Sequence, residues 1–147
     1  MLSLFGALTF VFAIYQDPFT DRQTFLAEIG DVDRGPGISI ACSPQRENWT
    51  VRILPGQLVD RPVLGYENIL VRFDDQPAST VFADYESREV LLEYEHAETF
   101  AQNATSSQRV IIGIRGPGNE RQLVMQLPLT GAADAIAQVQ QRCQAAK

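Results

Sequence analysis

Cys42 and Cys143 are the residues of this chain best placed for covalent chemistry. In a reducing compartment two thiols serve as small buried apolar side chains, whereas in an oxidising one an even count favours a bridge. The flanking patterns turn both inward. Ile38, Ile40 and Cys42 alternate along one face of a strand, and Ala132, Ile136, Val139 and Cys143 follow the stripe of an amphipathic helix. A bridge from an early strand to the last helix stabilises the fold by up to roughly 4 to 5 kcal/mol in the chain-entropy description. A catalytic thiol is not indicated. There is no Cys-x-x-Cys pair, and nothing links the single histidine, His96, to either cysteine.

The remaining polar candidates read as surface. Asp84, Glu86, Glu89, Glu93, Glu95 and Glu98 form the densest acidic stretch. Glu93 and Glu95 stand two apart, so on a strand they share a face and repel. A basic partner would use such a face, but the spacing matches no calcium loop, and no metal or other cofactor is expected. Gly113 to Gly118 lacks the Lys-Ser/Thr ending of a phosphate loop and reads as a hairpin turn. His96, set among glutamates, has no nucleophile to serve as a general base. In Arg72-Phe73-Asp74, Arg72 points away from the Phe73 face and is expected to pair with an acid across the strand. Trp49 and Tyr66 carry a large apolar body with a polar tip, suited either to the core or to an interface. Trp49, Tyr66, Arg72, Asp74, Glu93 and Glu95 are therefore the candidate interaction residues, and no catalytic set emerges. Asn48-Trp49-Thr50 and Asn103-Ala104-Thr105 fit the glycosylation sequon.

The elements that must position these residues are mostly short strands. Arg22–Ile29 alternates imperfectly and reads as a strand in preference to a short helix, Ile38–Cys42 and Trp49–Ile53 alternate as a hairpin, and Tyr66–Phe73, Thr80–Tyr85 and Val90–Tyr94 follow. Ala97–Ala104 predicts a short helix anchored by Phe100. Arg109–Arg115 and Gln122–Leu129 form a second hairpin about Gly116-Pro117-Gly118-Asn119. Thr130 caps a C-terminal helix with Asp134 in its first turn. The expected fold is mainly β: an antiparallel sandwich or partly open barrel, with a short internal helix and a C-terminal helix tied by the disulfide.

Leu2 to Ala13 is apolar and uncharged, shorter than the roughly 18 residues that span a bilayer. Val11 and Ala13 supply the small residues of a cleavage site, which predicts a signal peptide over 1–13 and a single β-rich domain over 14–147. The chain is then periplasmic or secreted, with no stable membrane span after cleavage. A formal charge of −6 and a pI near 4.7 argue against nucleic acid and anionic lipid, and leave another protein as the expected partner.

The order of these features resembles the type VI secretion-associated VasI/TagO-like group. Tyr15-Gln16-Asp17-Pro18-Phe19-Thr20-Asp21 is similar to that family's opening of an aromatic followed by D-P-x-T-D. Ile38 to Cys42, Val71-Arg72-Phe73-Asp74, and the run from Leu129-Thr130-Gly131 through Ala135 and Ile136 to Cys143 continue the likeness. Invasion-associated locus B proteins share some of this plan. The resemblance implies an exported, non-enzymatic accessory or interaction domain and supplies no catalytic residues. An acidic inhibitor or immunity-like protein is the alternative.

Overall fold

The computed structural model describes residues 8–44, 48–59, 61–115 and 122–145. Nine strands form one antiparallel sheet: β1 (Val11–Gln16), β2 (Gln23–Gly30), β3 (Gly37–Ser43), β4 (Asn48–Leu54), β5 (Tyr66–Phe73), β6 (Ser79–Tyr85), β7 (Val90–Glu93), β8 (Arg109–Arg115) and β9 (Gln122–Pro128). Two helices, α1 (Tyr94–Thr105) and α2 (Ala132–Ala145), complete it. The strands run β1-β2-β3-β4-β7-β6-β5-β8-β9, with β1 and β9 at the two edges, so the sheet does not close. This is the mainly β, antiparallel and open arrangement that the sequence predicts. One continuous ladder of backbone hydrogen bonds runs through it, and the inward side chains of both halves join one core.

Strand alternation decides which side chains enter that face. Phe25, Ala27 and Ile29 on β2 stand opposite Cys42, Ile40 and Ile38 on β3, and these opposite Trp49, Val51 and Ile53 on β4. Ile69, Val71, Val110, Ile112 and Ile114 continue the same core. Helix α1 contributes Ala97, Phe100, Ala101 and Ala104, and Phe100 meets Phe73 edge-on at 5.3 Å. Helix α2 buries the predicted stripe of Ala132, Ile136, Val139 and Cys143, together with Ala135. Its Asp134 lies in the first turn as expected, while the carbonyl of Thr130 accepts the Phe10 N–H at 2.8 Å.

The Cys42–Cys143 bridge is formed, pinning α2 to β3 across a separation of 101 residues. The predicted strands and both helices are present within a residue or two, apart from two boundaries. Tyr94, read as strand, opens α1, which starts directly from β7. Residues 11–13, read as the end of a signal peptide, form the first half of β1, and Phe10 is 4% exposed in the core. The predicted turn at 116–119 lies outside the described residues.

Replacing both cysteines by alanine releases this long loop in the unfolded chain and is expected to lower stability by about 2–5 kcal/mol. Urea denaturation of the double variant beside the oxidised wild type measures that difference.

Candidate functional site

The outward face of the sheet carries a groove of about 620 Å³ over one end of β1, β2, β3, β4 and β7. Its floor follows from the same alternation that builds the core. Thr24, Ala41 and Thr50 alternate with buried Phe25, Cys42 and Val51, and so point outward. Tyr15 stands opposite Thr24, Thr50 opposite Ala41, and Glu93 opposite Thr50. Small residues in the middle and tyrosines at the margins make the depression. Asp17 and Arg22 join from the β1–β2 turn, Tyr94 from the start of α1, and Trp49 from the end of β4. Trp49 also lines a smaller cleft between α1 and α2, with Glu98, Ala101 and Ile136.

The β1–β2 turn is rigid for a reason legible in its residues. The Asp17 Oδ1 accepts the N–H of Phe19 at 2.7 Å and of Thr20 at 3.3 Å, and Asp17 N–H donates to the Arg22 carbonyl at 2.8 Å. Asp17 is thus engaged in shaping the rim. Arg22 and Glu93 differ: the Arg22 N–H donates to the Thr20 hydroxyl at 3.4 Å, but among the described residues neither the guanidinium of Arg22 nor the carboxylate of Glu93 makes a hydrogen bond or ion pair. Glu93 precedes α1 with extended backbone and makes no side-chain cap bond, so its carboxylate is left for the groove. Glu93 shares a cross-strand row with Thr50, Ala41 and Leu26, and Arg22 stands four residues along the chain from Leu26, so three strand spacings across and four residues along set these opposite charges roughly 20 Å apart on the diagonal of the groove.

Tyr94 adds strain. Its φ of 54° lies in the left-handed region that an aromatic side chain rarely adopts, and it is 59% exposed. Such a conformation costs of order 1–3 kcal/mol and recurs at binding sites. Here it carries the chain from strand to helix without a loop and holds the ring at the groove.

The six predicted interaction residues divide. Trp49 and Glu93 line the groove. Tyr66 is on the outward face of β5, 44% exposed, with its ring 5.1 Å from that of Phe82, so it is not a core residue. Among the described residues Arg72 does not pair with an acid. Its guanidinium donates to the carbonyls of Gln76 and Asp75, at 2.9 and 3.4 Å, because the turn after β5 folds back beneath it. Asp74 has a φ of 53°, and its Oδ1 accepts the N–H groups of Gln108 and Arg109 at 2.9 and 3.1 Å, latching that turn to the start of β8. Glu95 does not share a strand face with Glu93, since the helix begins between them. It lies 3.8 Å from His96 on α1, beside a 220 Å³ cleft floored by Val71, Val81 and Phe100.

The acidic stretch is likewise spread out. Glu89 is ion-paired with Arg52, Glu93 faces the groove, and Glu95 and Glu98 are exposed on α1. Tyr15, Arg22 and Tyr94 were missed as site residues. Only the register that brings β1 and β7 to the two sides of β2–β4 reveals them.

Away from the groove, the outward row Glu28, Ser39, Arg52 and Leu91 crosses four strands. The Ser39 hydroxyl is buried there without a partner among the described residues. Burial pushes the Glu28 carboxyl above its ordinary range, with Arg52 pulling it back and Asp33 adding to the rise.

No protein-family model, curated protein or solved structure matches the chain.

Two variants test these local accounts. Because folded Glu28 holds its proton more tightly than the unfolded chain does, its ionised form lowers stability at neutral pH. That penalty fades as the pH falls through the folded pKa. Glu28→Gln is therefore expected to melt above wild type at pH 7, with the gap closing on acidification, as a series of thermal melts would show. Asp74→Ala leaves two backbone donors to water in place of their acceptor, and denaturant unfolding should report a loss of about 0.5–1.5 kcal/mol.

Proposed function

We propose that this protein is a non-enzymatic, exported accessory domain that binds another protein through the groove between Tyr15 and Tyr94. The observation that carries this reading is the convergence on one concave surface of Tyr15 and Tyr94 with a cation, Arg22, and an anion, Glu93, whose side chains are unpaired among the described residues. Aromatic side chains with polar tips are the usual anchors of protein interfaces, and arginine is enriched beside them. The two charges select a segment with an acidic group toward Arg22 and a basic group toward Glu93. An extended stretch of about six residues covers the roughly 20 Å between them.

Export is supported by the disulfide, which persists in oxidising compartments. No helix among the described residues is long and apolar enough to cross a membrane. The likeness of the Tyr15 to Asp21 opening to secretion-associated proteins points to an envelope or secretion component as the partner. An acidic inhibitor is less well supported, because the glutamates of residues 86–98 are distributed over several elements.

The test is affinity capture from gently cross-linked native cells, comparing wild type, a Tyr15→Ala/Tyr94→Gly double variant and a control, Leu64→Ala, on an exposed loop. Glycine suits the backbone at position 94, so Tyr94→Gly alone is expected to melt no lower than wild type. Envelope or secretion components should accompany the wild type and the control and be lost from the double variant. Recovery of the same proteins by all three would remove the groove from the account, and a single stoichiometric enzyme or toxin would favour an inhibitor.

A further inference from the structure

The start of β1 occupies a place built to receive a strand. Val11, Phe12 and Ala13 pair with Glu28, Ala27 and Leu26 on β2. Phe10 enters the core, and Phe12 stacks on Phe25 with ring centroids 6.5 Å apart. The Thr9 hydroxyl donates to the Thr130 carbonyl at 3.0 Å, beside the bond from the Phe10 N–H. Gly131 makes room: its φ is +79°, and a β-carbon there would lie 2.6 Å from Thr9 Oγ1 and 2.9 Å from the Phe10 carbonyl oxygen. The place therefore has a hydrogen-bonding edge, a core slot and a cleared wall.

The same residues end the segment for which Val11 and Ala13 predict cleavage. Removing it would leave Ile14–Gln16 as a shortened β1. The β2 backbone from Leu26 to Glu28 would lose its neighbour, and the space filled by Phe10 would open. Exposed strand edges with an adjoining apolar slot are ready templates for another chain.

We propose that in the exported protein this place is taken by a strand from a partner protein. The proposal rests on the export reading above. The segment seated here shows what fits: an extended, uncharged stretch antiparallel to β2, with large apolar or aromatic side chains at the positions of Phe10 and Phe12, two apart. The residues between them face outward and are free to vary, as the half-exposed Val11 shows. Such a strand would lie in line with Ile14 and lead toward the groove at Tyr15, so one partner would engage both surfaces.

The experiment begins with the intact mass of the protein purified from its own cells. A chain starting at Ile14 is expected, and one that retains residues 8–13 overturns the proposal at its premise. To the native chain starting at Ile14 is then added a peptide of residues 8–13, with lysines at its N-terminal end for solubility. It should raise the melting midpoint and slow amide exchange from Leu26 to Glu28. The Phe10→Ala form of the peptide should bind at least about tenfold more weakly, since it gives up most of one buried aromatic side chain. With cleavage established, either no effect of the first peptide or equal effects of the two overturns strand addition while leaving export intact.

Discussion

A nine-stranded open sheet has one face to hide, and this structure is organised by how that face is covered. Two short helices and the turn of the sheet itself supply the cover, and Phe100, Ile136 and Val139 fill the space over the strands. Without α2, the Phe25, Ile40 and Cys42 positions would face water, and the burial that offsets the loss of chain freedom would not be reached. The Cys42–Cys143 bridge makes that cover permanent. It joins the middle of the β1–β4 region to the last turns of the chain, where a helix on its own would fray.

The groove is a by-product of the same alternation, put to use. Where inward positions carry Phe25, Cys42 and Val51, the outward ones between them carry Thr24, Ala41 and Thr50, too small to fill the surface. Larger residues stand only at the margins. The strained Tyr94 and the uncapped Glu93 mark the one place where the chain passes from sheet to helix with no intervening loop. Local backbone preference is overruled there by the packing of α1 against β4 and β7.

Much of the fold was legible in the residues. Strands with a strict two-residue period, such as Ile38 to Cys42 and Trp49 to Ile53, declare their inner face directly, and the α2 stripe does so with a helical period. β1 was hidden because an apolar, uncharged run at the start of a chain has the composition of an export signal as well as of an edge strand. The groove was half legible. Trp49 and Glu93 stood out by type, whereas Tyr15 and Arg22 acquire meaning only once β7 is known to pair with β4. Arg72 misled because a strand position tells which way a side chain points, but not that a following turn will offer it two carbonyls.

The strand order also sets a schedule. Neighbours in the sheet are neighbours in sequence except at two joins, β4 with β7 and β5 with β8. The chain can thus assemble as local hairpins, with those two joins left for later, the kind of topology in which most contacts are made early. The thiol of Cys42 belongs to the first of these blocks, while its mate lies near the far end of the chain. As the polypeptide emerges in order, Cys42 is in its strand long before Cys143 exists. For that interval it has no partner within its own molecule, and with α2 not yet there to cover it the thiol stands open to another.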